Sequence, residues 1–230
     1  MKIDMHMHTI YSDGANTPEQ MVARAKAVGL NGIALTDHNT IAGIERTRIA
    51  AKAVGLLLVP GKEVAIMHEG KRIGEILCLF LEKDTKKDIY PVNKIADLLD
   101  ELKDQDAVCA IPHPFDDLIR KQGVVAVLEK KGKKPDAVEV MNGRNSAYMN
   151  ALGLEYALKN KLGQTAGSDA HRMEEVGHCY TFCEANNLEE FRKMIKKKQS
   201  KAIGVQKSAA AILYHRLMAR TSRLFGKLKK

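Results

Sequence analysis

Three side chains that can bind metal ions alternate near the amino end of the chain: Asp4, His6 and His8. They lie in residues 3–8, a stretch that is predicted to form a strand. Successive side chains of a strand point to opposite faces, so these three share one face. Polar groups on one face of a buried strand are costly unless they are paired or bound to metal. The pattern therefore indicates a metal site, and Asp13 follows in the next loop.

Residues of the same kinds recur where the other predicted strands end. These are Asp37 with His38, Glu63, His113, Asn142 with Arg144, and Asp169 with His171. In α/β barrels, the carboxyl ends of the strands carry the active site. Imidazole and carboxylate ligands without clustered thiolates suit Zn, Mn or Fe. The ligands are too many for one ion, and two or three divalent ions can promote in-line displacement at phosphorus.

The elements that would position these residues can be predicted from apolar periodicity. Seven strands are expected, at residues 3–8, 32–36, 56–59 with 64–68, 75–81, 107–111, 137–141 and 164–168. Helices are expected at residues 18–28, 41–54, 91–103, 116–130, 146–159 and 188–198. Thr17 and Pro18 form a helix start signal, and Gly29 and Gly55 are predicted to follow helix ends.

This alternation of strands and helices predicts an α/β fold with a mainly parallel sheet. We expect a closed, TIM-like barrel rather than an open doubly wound sheet. One reason is that no glycine-rich phosphate loop follows the first strand. The other is that the reactive residues gather at strand ends all along the chain.

Taken in order, these motifs resemble the PHP superfamily, named for polymerase and histidinol phosphatase. The motifs are Asp4-Met5-His6-Met7-His8 with Asp13, Thr36-Asp37-His38, Gly61-Lys62-Glu63, Pro112-His113-Pro114 and Ser168-Asp169-Ala170-His171. The resemblance covers residues 1–191. It implies a distorted (β/α)7 barrel with a bi- or trinuclear metal site and metal-dependent phosphoesterase activity.

The resemblance also implies a ligand set for each ion. The first ion would take His6, His8, Glu63 and Asp169, and Glu63 would bridge to a second ion that is held with His113. A third would take Asp13, His38 and His171. Many relatives have a His at the start of the fourth strand, where this chain has Glu75. Either Glu75 replaces that ligand with an altered metal preference, since Glu suits Mn or Fe, or the second site is weaker.

The expected reaction is attack of metal-activated water on phosphorus. Asp37 and His38 are the candidate catalytic groups beside metal-bound water. Asp37 is also expected, with Asp4, to orient the histidines from behind, and Asn142 to support the ligands. Arg144 and His178 are the candidate substrate contacts, although each has an ordinary structural interpretation as well.

The length suits one domain. The resemblance implies that residues 1–191 form the PHP domain, and a basic segment, residues 192–230, follows it. The chain has 230 residues, 45% of them hydrophobic, and its charged residues make up 28%. It has no apolar run of about 20 residues that could span a bilayer and no leader-like start, so a cytoplasmic location is expected. The four cysteines lack metal-site spacing and are expected to be small buried hydrophobes, with a metal shared by Cys179 and Cys183 as the alternative.

The basic segment accounts for the net charge of +9. Thirteen of the 37 Lys and Arg residues lie in residues 192–230, which contain none of the 28 Asp and Glu residues. From residue 207 the pattern is that of a basic amphipathic helix. Three interpretations remain: binding of nucleic acid, binding of an anionic membrane surface, or packing of the apolar side on the barrel.

Three functions follow. The first is hydrolysis of a small phosphorylated metabolite or a nucleotide. The second is a nuclease whose basic segment holds DNA or RNA. The third is a metal-binding interaction module without catalysis. The sequence leaves the oligomeric state open.

Overall fold

The computed structural model describes residues 1–115 and 123–205, and within these ranges strands and helices alternate. The strands are β1 (Lys2–Asp4), β2 (Gly32–Leu35), β3 (Leu57–His68), β4 (Lys71–Leu79), β5 (Tyr90–Pro91), β6 (Val108–Ile111), β7 (Ala137–Asn142), β8 (Gly163–Gly167), β9 (Cys179–Phe182) and β10 (Lys201–Gly204). The helices are α1 (Pro18–Ala27), α2 (Ile44–Ala53), α3 (Ile95–Asp104), α4 (Val124–Lys130), α5 (Ala147–Asn160) and α6 (Leu188–Lys196). Short 3-10 turns lie at Val92–Lys94 and Met173–Glu175.

Eight of these strands close into a barrel. They pair in the order β1, β2, β3, β4, β6, β7, β8, β9, and β9 pairs back with β1. Four neighbouring pairs are parallel, whereas β4 and β9 run antiparallel to both of their neighbours in the ring. The predicted TIM-like α/β barrel is therefore confirmed. Its eighth strand, β9, was not among the seven predicted strands.

The antiparallel strand β4 changes the predicted layout beside the site. The two predicted segments 56–59 and 64–68 form one strand, β3, so Glu63 lies inside a strand rather than at a strand end. A tight turn at Glu69 and Gly70, both with positive φ, leads into β4. Antiparallel pairing then places Leu77 opposite Glu63. The amino half of β4 therefore lies at the end of the barrel where the parallel strands finish.

Local signals set the helix ends much as the sequence predicts. Thr17 caps α1 by accepting a hydrogen bond from the amide of Gln20, whose side chain accepts one from the amide of Thr17. Gly29 and Gly55 follow α1 and α2 with positive φ, as expected for glycine after a helix. The start of α2, at Ile44, is three residues later than predicted. Residues 116–122 of the predicted helix 116–130 lie outside the described ranges.

The folded body continues past the predicted boundary between residues 191 and 192. Helix α6 crosses that boundary, and Phe191 and Ile195 are both buried against core residues such as Ile3. Strand β10 then pairs with β9. Residues 206–230, which include the predicted basic helix, lie outside the described ranges.

All four cysteines are buried and none of them forms a disulfide, which agrees with the prediction of small buried hydrophobes. Among the described residues, none of the side-chain groups that could hold a metal ion includes a cysteine. The helices in the same part of the chain are too short or too polar for any of them to cross a membrane.

Candidate metal centre

The centre begins with His6 and His8, which directly follow β1 and are fully buried. Their Nε2 atoms lie 3.1 Å apart. Glu63 Oε2 lies 3.3 Å from each of these nitrogens. Asp169 Oδ1 lies 3.5 Å from Nε2 of His8 and 3.8 Å from Nε2 of His6. His6 and His8 thus meet both carboxylates inside the barrel mouth, and His6, His8 and Asp169 form one potential metal-binding group.

These separations fit the ligands of one divalent ion. Ligand atoms about 2.0–2.1 Å from a tetrahedral zinc ion lie roughly 3.3 Å from one another. The donor set and its geometry therefore fit a divalent metal.

Glu63 lies at the centre of the cluster, and only 1% of its surface is exposed to solvent. Besides meeting His6 and His8, its Oε2 lies 3.0 Å from His38 Nδ1, and its Oε1 lies 3.0 Å from His113 Nε2. Burial alone would raise the pKa of Glu63. The surrounding imidazoles, His6 foremost, outweigh burial and hold the pKa well below its usual value. One carboxylate that faces four imidazoles suits a bridge between ions.

Glu75 joins the cluster through the antiparallel run of β4. Its carboxylate oxygens lie 3.5 Å from His38 Nδ1 and 3.7 Å from His113 Nε2. Burial and the nearby charge of Glu63 raise the pKa of Glu75. Arg72 donates a hydrogen bond of 2.7 Å to Glu75 and offsets part of that repulsion. His38, Glu63 and Glu75 form one potential metal-binding group, and His6, Glu63 and His113 form another.

A further group is more open to solvent and contains His8, Asp13, His38 and His171. Asp13 Oδ1 lies 3.1 Å from His171 Nε2 and 3.6 Å from His38 Nε2. The side chains of Asp13, His38 and His171 are 36%, 23% and 22% exposed, in contrast to fully buried His6 and His8. The predicted set of Asp13, His38 and His171 is thus brought together, with His8 added. Solvent reaches the centre from this side.

The pKa values of His38 and His113 are raised above that of an isolated imidazole. Burial opposes the charged form, but the carboxylate of Glu63 outweighs burial at both. The pKa of His38 is raised to about 9 and that of His113 to about 10. Metal binding to these rings requires their neutral form.

Glu139, which the sequence analysis did not select, supports this cluster. It is 1% exposed and lies on β7. Its Oε1 lies 3.0 Å from His6 Nδ1, and its Oε2 accepts hydrogen bonds from the amide of His113 (3.0 Å) and from Asn142 Nδ2 (2.9 Å). Asn142 also donates to Asp169 Oδ2 at 3.3 Å. The sequence signal that could have identified Glu139 is a single acidic residue in an otherwise apolar strand segment, Ala137-Val138-Glu139-Val140.

Asp4 and Asp37 do not orient imidazole rings as predicted. Asp4 accepts hydrogen bonds from the amides of Ser168 (2.8 Å) and Gly177 (2.9 Å), and so fastens the loop after β8 to β1. Burial raises the pKa of Asp4 to about 6. Asp37 accepts hydrogen bonds from Thr9 and Ser12 at 2.6–2.7 Å. It is 1% exposed, so it holds the loop that carries Asp13 rather than facing the reacting groups.

The backbone is held in unusual conformations at the same sites. His113 and Asp169 have positive φ angles of 29° and 53°. Such conformations cluster at functional sites, where the surrounding structure enforces them. A Cβ at Gly167 would collide with His6, so only glycine allows β8 to end this close to the histidine.

The two predicted substrate contacts differ in their surroundings. Arg144 follows β7, and its charge helps to lower the pKa of Asp169, after the larger influence of His6 and the other histidines. Its Nη1 is buried and has no hydrogen-bond partner among the described residues. His178 precedes β9, and its amide donates to the carbonyl of Glu175. His178 belongs to none of the potential metal-binding groups in the described ranges.

An α/β barrel with a His, Asp and Glu cluster at its carboxyl end is an architecture that supports metal-assisted chemistry. The sequence model of the PHP domain family matches residues 4–197. The chain therefore belongs to the PHP domain family.

Individual relatives agree with this assignment. An uncharacterized protein of Methanocaldococcus jannaschii is 32% identical over 82% of this chain and 73% of its own length. A 5'-3' exoribonuclease of Haemophilus influenzae is 49% identical over 72 residues, but that match spans only 31% of this chain and 26% of the enzyme. The fold is shared with a Bacteroides vulgatus two-domain protein containing a predicted PHP-like metal-dependent phosphoesterase, with a TM-score of 0.70 and 23% identity. That likeness covers 89% of this chain and 64% of the other.

Proposed function

We propose that the protein hydrolyses phosphate esters of small molecules, such as a phosphorylated metabolite or a nucleotide, with the help of two or three divalent ions. The observation that carries the proposal is the overlap of the potential metal-binding groups. Glu63 belongs to two of them, and His6, His8 and His38 each belong to two as well. Ions that share ligands are close neighbours, as the clamp for in-line displacement requires.

The chain's own residues take distinct roles in this proposal. His6, His8, Glu63 and Asp169 would hold one ion, His113 and Glu75 a second with Glu63, and Asp13, His38 and His171 a third. Zn, Mn or Fe bound there would supply Lewis-acid charge and water activated near neutral pH.

Arg144 is proposed to bind a phosphate oxygen. Its unpartnered Nη1 can donate to the oxygen, and its charge is already balanced by Asp169 nearby. His38 lies on the solvent side of the cluster. With three ions bound it would be a ligand, and with two ions bound it is proposed to handle a proton at Nε2 during turnover. His178 remains a proposed contact at the rim.

A cavity of about 250 Å³ adjoins the cluster on the side of Glu75 and His113. Its described walls combine apolar Ile73, Ile111 and Phe115 with the polar side chains of Arg72, Glu75 and His113. A volume of this size admits a small organic group beside the bound phosphate. We therefore favour a small phosphorylated substrate.

The test is hydrolysis of a generic aryl phosphate by the metal-stripped protein after Mn, Zn or Fe is added singly. Turnover should appear with at least one metal, and His6→Ala should abolish it. Arg48→Ala, a change at an exposed residue of α2, is the matched control and should keep the wild-type rate. Metal binding without turnover on aryl phosphates or on a phosphorylated-metabolite panel would instead favour the non-catalytic binding module.

A second function, 5'-3' exoribonuclease activity, is favoured by one feature of the fold. Strand β10 is antiparallel to β9, and β9 is antiparallel to β1, so β10 ends at the catalytic end of the barrel. There the amide of Val205 donates to the carbonyl of His178 at 3.0 Å. The described chain thus ends at Val205, at the catalytic end of the barrel, and the sequence that follows is basic and can attract a polynucleotide.

Oligonucleotides separate the two functions. An exoribonuclease should release mononucleotides from a 5'-phosphorylated RNA, and its apparent affinity should fall steeply with salt because bound phosphates release counterions. A small-molecule phosphatase should hydrolyse mononucleotides or metabolites and leave the oligonucleotide backbone intact.

A further inference from the structure

The chain turns away from the barrel directly after His38, and Asn39 is the residue at which it turns. The φ angle of Asn39 is 58°, in the left-handed region that asparagine adopts more readily than most residues other than glycine. Just before this turn, His38 and Glu63 form an isolated parallel bridge that extends the pairing of β2 with β3. Asn39 therefore lies where that pairing ends, beside the cluster.

The backbone around this bridge follows the regular parallel pattern of hydrogen bonds. The amide of Glu63 donates to the carbonyl of Asp37 at 3.3 Å, and the amide of Asn39 donates to the carbonyl of Glu63 at 2.8 Å. In a continued parallel pair, the amide of Ala65 would donate next to the carbonyl of Asn39. It donates instead to the side-chain oxygen, Oδ1 of Asn39, at 2.8 Å. The side chain of Asn39 thus takes the place of a backbone carbonyl.

This replacement satisfies a backbone group in the interior. Ala65 is only 5% exposed, and a buried amide without an acceptor is costly. Ala65 also lies opposite Glu75 in the pairing of β3 with β4. One asparagine side chain therefore fastens the chain after β2 to the part of β3 that carries Glu63 and that pairs with Glu75.

The position of His38 depends directly on this fastening, because His38 immediately precedes Asn39. His38 Nδ1 lies 3.0 Å from Glu63 Oε2, and His38 belongs to two of the potential metal-binding groups in the described ranges. We propose that Asn39 is a positioning residue, whose side chain holds His38 at the distance from Glu63 at which both can bind one ion. This role rests on the metal centre of the proposed function, and Asn39 itself contacts no ion.

Two substitutions at Asn39 separate its side chain from the turn. Asn39→Gly keeps the turn, because glycine adopts a positive φ without strain, but it offers no oxygen to the amide of Ala65. Asn39→Asp keeps an acceptor oxygen and tolerates the same backbone conformation. Loss of function in the first variant and recovery in the second would therefore report on the acceptor oxygen.

A matched control lies at the other end of β2. The amide of Asn31 donates to the carbonyl of Lys2 at 2.9 Å, and Oδ1 of Asn31 accepts from the amide of Lys2 at 2.7 Å. Asn31→Gly thus removes the same kind of hydrogen bond between an asparagine side chain and a strand amide, but away from the cluster.

The measurement is titration calorimetry of the metal-stripped proteins with Mn²⁺, Zn²⁺ or Fe²⁺ added singly, after circular dichroism has shown that each variant is folded. We expect Asn39→Gly to weaken the binding of at least one ion about 10–100-fold, as loss of a contact that supports a ligand does. Asn39→Asp should recover most of this affinity, and Asn31→Gly should bind like wild type. In the His38→Ala background, Asn39→Gly should cause little further loss, because it acts through His38.

Wild-type affinity in Asn39→Gly would overturn this role and leave the proposed function standing. An undiminished loss in the His38→Ala background would also overturn it, because Asn39 would then act through the fold of β3. If Asn39→Gly does not fold, Asn39→Ser is measured in its place and judged in the same way, since serine carries its oxygen one bond nearer the backbone. A wild-type protein that binds none of the three metals would overturn both the proposed function and the role of Asn39.

Discussion

The Nε2 atoms of His6 and His8 face each other at 3.1 Å, and the same oxygen of Glu63 lies 3.3 Å from both. Neutral imidazoles can share one hydrogen across such a contact, and two imidazolium ions would repel. A divalent cation satisfies both nitrogens and the oxygen at once.

Glu63→Gln should remove metal from more than one position, since Glu63 meets His6, His8, His38 and His113. We expect metal content and phosphoesterase rate to fall further than the roughly 10–100-fold typical of losing a supporting contact. Metal content is measured by mass spectrometry of purified protein. Glu184→Gln, at an exposed position, should keep the wild-type value. Full metal occupancy in Glu63→Gln would contradict the assigned bridge.

Glu139→Gln should weaken metal binding although Glu139 is not itself a proposed metal ligand. The amide group cannot accept from His6, His113 and Asn142 together, because one of its two polar atoms is a donor. We expect metal affinity to fall about 10–100-fold, as measured by calorimetry, with Glu184→Gln again as the control. An unchanged dissociation constant would show that His6 is positioned by other contacts.

Metal binding should release protons and should tighten as pH rises. In the metal-free protein the pKa of His38 is raised to about 9 and that of His113 to about 10, so both rings are protonated at pH 7–8. Coordination needs the neutral rings and expels these protons. Calorimetry at pH 7.5, in buffers with different ionisation enthalpies, would measure the number released. A binding enthalpy that is independent of buffer would count against this assignment.

Arg144→Ala should impair substrate binding and leave metal content unchanged. A hydrogen bond to a charged group contributes about 1.5–3 kcal/mol, which corresponds to roughly a 10–100-fold rise in KM. Arg144→Lys should restore part of the loss, because lysine keeps the charge but not the fork of donors. Steady-state kinetics on aryl phosphate provides the measurement, with Arg48→Ala as the control. If KM stayed constant, Arg144 would have a structural role only.

Ile195→Ala should lower the free energy of unfolding by about 2–5 kcal/mol. Ile195 is buried in the core cluster that also contains Ile3 and Phe191. Urea denaturation would measure the loss, and Lys197→Ala, at an exposed position, should stay within about 0.5 kcal/mol of wild type. If the two variants had equal free energies of unfolding, Ile195 would not contribute to the core, and the folded domain would end near residue 191 as the sequence predicts.

Much of the fold was accessible from local patterns. The strands that His6, His38 and Asp169 follow were predicted from apolar runs, although β1 ends at Asp4 rather than at residue 8, and the start of α1 was predicted from Thr17 and Pro18. The antiparallel direction of β4 is different, because pairing direction depends on neighbouring strands rather than on local sequence. The eighth strand, β9, is short and half-polar, so periodicity gave no signal for it.

The sequence by itself determined which side chains could bind metal and that His6 and His8 share one face, because alternation along a strand is a local property. Only the tertiary structure decided that Glu75 meets His38 and His113, that Glu139 holds His6, and that His8 joins two potential metal-binding groups. These relationships depend on how the sheet closes, which sets distances between residues far apart in the chain. The sequence identified the candidate ligands, and barrel closure determined which of them lie close enough to share an ion.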